Sequence, residues 1–261
     1  MKFFYLIGKN IKNSLSPKIH NHTFKKLGID ANYKLMEISD LRQFSNLFQD
    51  FKSQKICGIN ITNPYKINVY PYMNKAAPSC NQIKAVNCIN FKNGQIIGHN
   101  TDWFGFLKML KSNNINLIDK KIKIIGLGGS HNAIIYALGF MGCTEIELYD
   151  RQNVDKIVED NSNKDFVVIN CSPKHFINDE KKFIDYFISR KNIWIDLLYT
   201  KLSTQNQNLI NRNHKNLYIN GLDMLIYQAL ASISIWLSED IFKNVDLYTL
   251  KSTLKKELNV N

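Results

Sequence analysis

One stretch of the chain reads Ile122-Lys123-Ile124-Ile125-Gly126-Leu127-Gly128-Gly129-Ser130. Its apolar residues predict a strand that runs directly into a glycine-rich turn. A helix is predicted next, from about His131 to Met141 with a stop near Gly142, followed by a strand from Glu145 to Tyr149. Strand, glycine turn, helix and strand in this order form the βαβ unit in which dinucleotides bind.

The residues of the glycine turn suit a pyrophosphate. Glycines let the backbone approach the ligand closely, and the amides at the start of the following helix meet its charge. Asp150 lies 24 residues after Gly126, where a carboxylate can bind the ribose hydroxyls. His131 takes the place of the third glycine of the strict motif. The context as a whole predicts dinucleotide binding.

Alternating strands and helices continue on both sides of this unit. Strands are expected at 3–8, 33–38, 166–170 and 192–196, and another ends at Thr62. Helices are expected after Ser16, which is predicted to be an N-cap with Pro17 at the first helical position, and after Asp40 and Pro64. The alternation indicates an α/β protein with parallel sheet.

Composition limits the function classes. The chain has 261 residues, 44% of them apolar, which is enough for one large domain or two ordinary ones. No apolar run approaches the roughly 18 residues of a membrane span, and the N-terminus lacks a signal-peptide pattern. The net charge of +12 is spread along the chain without a basic patch, which favours anionic small ligands over nucleic acid.

The five cysteines form no C-x-x-C pair, so neither a metal site nor a disulfide framework is indicated. We therefore expect reduced thiols, a cytoplasmic location and no metal.

A second informative stretch is Gly58-Ile59-Asn60-Ile61-Thr62-Asn63-Pro64-Tyr65-Lys66, which reads as a strand that arrives at a proline turn. Lys66 then lies at a strand-to-helix turn, where α/β proteins place their chemistry. Ser14 and Ser16 put two hydroxyls at a helix N-terminus, a natural site for a carboxylate.

Residues 85–99 read as a hairpin turned at Asn93-Gly94, which leads to Asn100-Thr101-Asp102. Asp102 can cap the next helix, or Thr101 can take that role and leave the carboxylate free. In the long apolar helix from about Met224, a buried Gln228 needs hydrogen-bond partners from the protein or from a ligand.

Six blocks of sequence together resemble the shikimate dehydrogenase family, in order, with similar spacing and over nearly the whole chain. The blocks are Ser14-Leu15-Ser16-Pro17, Asn60 to Lys66, Ala85-Val86-Asn87, Asn100-Thr101-Asp102, the Gly126–Ser130 loop, and Gly221-Leu222 with Gln228-Ala229. The resemblance implies two domains, an N-terminal α/β substrate domain (1–101 plus 224–261) and a Rossmann-like nucleotide domain (102–223), with C-terminal helices that return to the first. It also implies nicotinamide-dependent, reversible reduction of 3-dehydroshikimate to shikimate.

The same resemblance implies roles for individual residues. Lys66 and Asp102 match the catalytic pair, and a lysine amine, protonated at neutral pH, suits proton donation. Substrate binding is implied for Ser14, Ser16, Thr62, Lys66, Asn87, Asp102, Tyr199 and Gln228. Cofactor binding is implied for Gly126, Leu127, Gly128, Gly129, Ser130, Asp150, Arg151, Leu197 and Gly221. The expected partner is a small-molecule substrate, and the expected assembly is a monomer or homodimer.

Several positions depart from the family pattern. Asp150-Arg151-Gln152 stands where the family often has Asn-Arg-Thr, and Asp155 replaces a second arginine. Asp150 favours NAD and Arg151 favours NADP; we expect NADP. The usual Gly-Met pair is absent from residues 170–175, and Asp223 and Lys84 replace glycines. The alternatives are an NAD-dependent quinate/shikimate dehydrogenase and a non-catalytic nucleotide-binding regulator, which retention of Lys66 and Asp102 disfavours.

Overall fold

The computed structural model describes residues 1–44, 56–160, 166–189, 192–199, 202–212 and 216–258. The predicted helix after Asp40 begins within them, where the Asp40 carboxylate accepts a hydrogen bond from the Arg42 amide at 2.8 Å. The rest of that prediction lies outside the described residues. No helix in the described part of the chain is long and apolar enough to cross a membrane.

The described residues of the N-terminal part form a six-stranded sheet in the order β2-β1-β3-β5-β6-β4. Its strands are β1 (Lys2–Gly8), β2 (Ala31–Glu37), β3 (Gly58–Ile61), β4 (Lys75–Ala76), β5 (Cys88–Lys92) and β6 (Gln95–His99). Strands β1, β2 and β3 are parallel, whereas β5 is antiparallel to β3 and β6. The helices of this part whose full extent is described are α1 (Ser16–Lys26) and α2 (Pro78–Ile83).

A second sheet in the described residues has five strands, all parallel, in the order β11-β10-β9-β7-β8. They are β7 (Lys121–Ile125), β8 (Ile146–Tyr149), β9 (Phe166–Asn170), β10 (Ile193–Asp196) and β11 (Leu217–Asn220). The remaining helices are α3 (Asp102–Ser112), α4 (Gly129–Met141), α5 (Lys156–Glu159), α6 (Phe176–Asp179), α7 (Lys181–Ile188), α8 (Thr204–Arg212), α9 (Leu222–Leu237) and α10 (Leu247–Leu258). The α/β class expected from the sequence is confirmed.

Two helices, α3 and α9, pack against each other and join the cores of the two sheets. On α9, Ile226 and Leu230 belong to the apolar cluster of the first sheet, which includes Phe4. Met224, on the same helix, packs in the cluster of the second sheet with Phe106 of α3. The position of α9 relative to both sheets is therefore set by apolar burial on two sides.

The local predictions have mixed outcomes. The hairpin turn is confirmed, because Asn93 and Gly94 both have positive φ, 52° and 74°, as a tight two-residue turn requires. The helix predicted after Pro64 is wrong. The chain instead makes successive turns and then a short 3₁₀ helix at Tyr70–Tyr72, where Pro71 has no N–H to continue an α-helix.

His20 supplies a pH-dependent contribution to stability. Burial lowers the pKa of His20 from its usual 6.5 to about 4. The unfolded chain therefore binds the proton first as the pH falls. The stability that neutral His20 contributes is present above about pH 6.5 and is lost as the pH falls toward 4, a change of about 3 kcal/mol.

We predict that His20→Phe, which keeps an aromatic ring against Tyr33, reduces this acid-dependent loss of the free energy of unfolding. Urea unfolding at pH 7 and pH 4.5 measures it. His22→Phe, on the same helix but half-buried, is the matched control and keeps the loss. An equal pH dependence in His20→Phe and the unmodified protein contradicts the prediction.

Candidate active site

A cavity of about 230 Å³ lies where the two sheets approach each other. It is bordered by the carboxyl end of β3 and by the residues that follow β9, β10 and β11. Ligands of open α/β sheets bind at this edge of the strands. The cavity brings together all the residues assigned to substrate binding from the sequence, namely Ser14, Ser16, Thr62, Lys66, Asn87, Asp102, Tyr199 and Gln228.

Lys66 and Asp102 form a buried ion pair in this cavity. Lys66 Nζ donates to Asp102 Oδ2 at 2.6 Å, and the two residues are only 7% and 5% exposed. Lys66 follows β3 after the Pro64 turn, and its backbone carbonyl accepts the Val86 amide at 2.8 Å. Lys66 Nζ also lies 3.2 Å from Ser130 Oγ, at the start of α4. The amine thus stands between the first sheet and the glycine loop of the second.

The Asp102 carboxylate is not used as a helix cap. Asp102 is the first residue of α3, and its backbone amide donates to Asn100 Oδ1 at 3.0 Å. Thr101 precedes the helix, and its side chain makes no capping bond. From the sequence, either Asp102 caps the helix or Thr101 does so and leaves the carboxylate free. The carboxylate is free for other partners, but the residue that bonds the Asp102 amide is Asn100 and not Thr101.

Asn87 connects the other polar groups of the cavity. Its Nδ2 donates to Asp102 Oδ1 at 2.7 Å and to Thr101 Oγ1 at 2.9 Å. Gln228 Oε1 lies 3.3 Å from the same nitrogen. Gln228 is 8% exposed, and its Nε2 donates to the Leu225 carbonyl at 2.9 Å. The partners that a buried glutamine requires are thus supplied by protein groups that also face the cavity.

Ser14, Ser16 and Tyr199 contribute three hydroxyl groups to the lining of the cavity. Ser16 is the first residue of α1 and makes no side-chain cap, so its predicted N-cap role is wrong. The Ser14 hydroxyl accepts the Ser16 amide instead, at 3.3 Å. Burial raises the pKa of Tyr199, opposed by hydrogen bonds with the Leu15 backbone and the Ser14 hydroxyl. A carboxylate placed here meets several hydroxyl donors.

The glycine loop has the shape of a ligand cradle. Gly126 has φ +93°, and a Cβ there would lie 3.0 Å from the Ser172 amide nitrogen. At Gly129 a Cβ would come within 2.9 Å of Lys66 Cβ, whereas Gly128 faces open space. Leu127 is 51% exposed. Close backbone approach and the position of the loop at the N-terminus of α4 fit the pyrophosphate of a dinucleotide.

The remaining residues assigned to the cofactor divide into two groups. Leu197 and Gly221 line the cavity, and a Cβ on Gly221 would lie 2.1 Å from the Leu197 carbonyl oxygen. Asp150 and Arg151 do not line it; they follow β8, beyond the glycine loop. Asp150 Oδ1 accepts the amides of Gln152 at 2.8 Å and Asn153 at 3.1 Å, and Arg151 is exposed.

Sequence reasoning missed several cavity residues. Asn60 and Asn63 lie in the quoted strand and turn but carried no assignment, and Cys171, Ser172 and Met224 also line the cavity. Asn60 is an amide within an otherwise apolar strand, and that polarity was a usable signal. The residues after β9 gave no such signal because only their fold position brings them to the site.

The fold and the site together define a two-sheet α/β protein with a dinucleotide loop beside a buried lysine–aspartate pair, as in a class of dehydrogenases. Residues 6–89 match the family model described as shikimate dehydrogenase substrate binding domain. The chain is 31% identical, over 90% of its length and 89% of the relative's, to a Caldicellulosiruptor bescii protein named shikimate dehydrogenase (NADP(+)). A Clostridium botulinum protein of that name is 34% identical over 88% of this chain and 95% of its own length.

Structural comparison agrees. The crystal structure of shikimate dehydrogenase 1 from Peptoclostridium difficile has a TM-score of 0.80 with 28% identity, covering 99% of this chain and 98% of that one. The chain belongs to the shikimate dehydrogenase family.

The close approach of Gly129 to Lys66 leads to a prediction. Gly129→Ala should lower Tm by several degrees without any ligand, because the new methyl group overlaps Lys66 Cβ and costs about 1–3 kcal/mol. Gly128→Ala is the matched control: its space is open and its φ of −88° suits alanine, so Tm should hold or rise slightly. Equal Tm changes in the two variants, measured by calorimetry, contradict this reading.

Proposed function

We propose that the chain catalyses the reversible NADPH-dependent reduction of 3-dehydroshikimate to shikimate, a step of chorismate and aromatic amino-acid biosynthesis. The observation that carries the proposal is the buried Lys66–Asp102 pair in a cavity that also reaches the glycine loop. The names and near-full coverage of the relatives support it. The test is an assay of shikimate oxidation with NADP and with NAD side by side.

The polar groups of the cavity match the substrate in their distribution. The hydroxyls of Ser14, Ser16 and Tyr199 would bind the substrate carboxylate at one end. Thr62, Asn87, Asp102 and Gln228 would bind the ring hydroxyls at the other. The cavity thus supplies neutral donors for the carboxylate and both donors and acceptors for the hydroxyls, as recognition of a polyhydroxy acid requires.

Lys66 is proposed as the residue that transfers the proton. Its ammonium can donate a proton to the oxygen of the substrate carbonyl in the reducing direction, and its amine can take that proton back in the other. Asp102 would hold the amine in place through Oδ2. Bound nicotinamide supplies the hydride chemistry. The residues that would hold the cofactor are Gly126, Leu127, Gly128, Gly129, Ser130, Asp150, Arg151, Leu197 and Gly221.

We also propose that the two parts of the chain are domains with different functions. Residues 1–101 with 224–261 form the substrate-binding and catalytic domain, and residues 102–223 form the nucleotide-binding domain. Both α3 and α9 begin near these boundaries, at Asp102 and Leu222, which supports the division. We further propose that the enzyme is cytoplasmic and acts as a monomer or homodimer.

NAD-dependent oxidation of shikimate or quinate is the second candidate, and Asp150 is the observation that favours it. A carboxylate there repels the 2′-phosphate of NADP and suits the free ribose hydroxyls of NAD. However, Asp150 Oδ1 already accepts two backbone amides of its own turn, and Arg151 beside it is exposed. We therefore retain NADP as the preferred cofactor.

Removal of the lysine amine tests the chemistry. Lys66→Ala should lower kcat by about 10²–10⁴-fold, the usual contribution of a general acid or base, with KM for shikimate much less changed. Steady-state kinetics in both directions measures this. Near-normal turnover in Lys66→Ala would remove lysine from the mechanism.

Removal of one charge tests cofactor choice. Asp150→Asn keeps an oxygen to accept the Gln152 amide and removes only the charge. We expect kcat/KM for NADP to rise about threefold to tenfold, the range of one modest charge interaction, and that for NAD to fall. NAD lacks the 2′-phosphate, so an equal rise of kcat/KM for NAD would contradict the argument from charge. A preference of the unmodified protein for NAD overturns the choice of NADP.

A further inference from the structure

A chain of buried hydrogen bonds runs behind the cavity, from Tyr33 of β2 to Asp102. Tyr33 is 1% exposed and Ser232 is fully buried, and neither lines the cavity. The Tyr33 hydroxyl lies 2.9 Å from Asn60 Oδ1. Asn60 Nδ2 in turn lies 2.9 Å from Ser232 Oγ. The catalytic pair as described above uses neither Tyr33 nor Ser232.

A contact with a backbone carbonyl fixes the orientation of the Asn60 side-chain amide. Asn60 Nδ2 lies 2.9 Å from the Asn87 carbonyl oxygen, which can only accept. The amide nitrogen of Asn60 must therefore face Asn87, and its Oδ1 must face Tyr33. Since Oδ1 can only accept, the Tyr33 hydroxyl is the donor. Tyr33 thus opposes a rotation of the Asn60 amide that would reverse its bonds.

A second backbone carbonyl fixes the direction in which the Ser232 hydroxyl donates its hydrogen. Its hydroxyl lies 3.0 Å from the carbonyl oxygen of Gln228, one turn earlier on α9, and donates to it. Because the Ser232 hydrogen is used in this bond, Ser232 Oγ acts as the acceptor toward Asn60 Nδ2, 2.9 Å away. Thr101 Oγ1 lies 3.3 Å from Ser232 Oγ and 3.2 Å from Asn87 Oδ1, so its hydroxyl hydrogen is shared between these two acceptors. A bond to Gln228 alone would satisfy a helical serine. The two further contacts join α9 to β3 and to the residue that precedes α3.

This series of hydrogen bonds ends at the Asp102 carboxylate. Thr101 Oγ1 accepts from Asn87 Nδ2 at 2.9 Å, and the Thr101 amide donates to Asn87 Oδ1 at 2.6 Å. These bonds leave Asn87 Nδ2 directed at Asp102 Oδ1, 2.7 Å away. The orientation of Asp102 toward Lys66 therefore depends on Asn87, and that of Asn87 depends on Thr101, Ser232 and Asn60.

We propose that Ser232 is a positioning residue for the Lys66–Asp102 pair. Tyr33 holds the other end of the same series of hydrogen bonds through Asn60. Ser232 accepts a hydrogen bond from Asn60 of β3 and lies 3.3 Å from Thr101, the residue that precedes α3. It thereby sets the position of the strand that leads to Lys66 relative to the helix that begins with Asp102. The reaction affected is the one proposed above, and the inference rests on that function.

The test is a double-mutant cycle with Ser232→Ala and Tyr33→Phe, each of which removes only a hydroxyl. If both act through Asn60, each variant lowers kcat, Ser232→Ala by about tenfold, a typical effect of one buried hydrogen bond. The double variant then loses no more than the more affected single one, because residues of one network are not additive. KM for NADPH stays unchanged in all three.

Two matched controls separate positioning from general destabilisation. Ser234→Ala removes a hydroxyl from the same helix, one that accepts the Ile241 amide at 3.3 Å. Tyr65→Phe removes a buried tyrosine hydroxyl that bonds the Ile38 carbonyl at 2.9 Å. Both should lose stability, measured as Tm, and keep kcat. Unchanged kcat in Ser232→Ala, or losses that multiply in the double variant, overturn the positioning role.

A crystal structure of Ser232→Ala gives a readout that does not require turnover. We expect the Asn87 Nδ2–Asp102 Oδ1 bond to be broken in it; a bond retained at its present length overturns the proposal. If the unmodified protein fails to reduce 3-dehydroshikimate with NADPH, the proposed function fails, and the crystal structure alone decides whether Ser232 positions Asp102.

Discussion

The structure depends on the burial of two opposite charges, Lys66 and Asp102, in one small cavity. Removing a carboxylate and an ammonium from water is costly, and their mutual attraction offsets the cost only when hydrogen bonds satisfy the remaining atoms. Asp102 meets that condition, because Oδ2 accepts from Lys66 and Oδ1 from Asn87. The pair is therefore stable only while β3, the residue before β5 and the start of α3 are held together.

That requirement explains the composition of α9. The helix is apolar enough to enter the cores of both sheets, yet it carries Gln228 and Ser232 one turn apart on a single face. Both contact the Asn87–Thr101 cluster. A buried polar cluster stabilises a fold only when each member finds its partners. The apolar faces of α9 thus supply the packing, and its two polar residues complete the hydrogen bonding around Asp102.

The sequence predicts the fold well where one local rule decides the conformation. The Asn93-Gly94 turn, the glycine stop at Gly142 and the βαβ unit follow from backbone preferences and periodicity, and all are observed. It fails where a local rule competes with the site: Ser16 has the pattern of an N-cap, but the Ser14 hydroxyl bonds its amide instead.

The substrate residues could be named only because six short blocks resemble one family. Spacing alone gives no distance between Lys66 and Asp102, which are 36 positions apart and share a bond of 2.6 Å. Ser232 was not predictable at all, because its role depends on contacts with β3 and α3 that exist only in the folded chain.

Lys84 and Asp223, two positions where the family resemblance led us to expect glycine, carry side chains that make local contacts. Lys84 has φ 55°, which costs a non-glycine residue about 1–2 kcal/mol. Its ammonium lies 3.3 Å from the Tyr70 hydroxyl and 5.1 Å from the centre of that ring, a contact that offsets part of the cost.

Asp223, buried beside the cavity, pairs with Lys251 of α10 and accepts from Asn113 Nδ2 at 3.2 Å. It lies in the first turn of α9, where the helix dipole favours a carboxylate. Asp223 therefore ties α10 and the end of α3 to the N-terminus of α9. In each case the added side chain is stabilised by groups outside the cavity, so the Lys66–Asp102 pair keeps its surroundings.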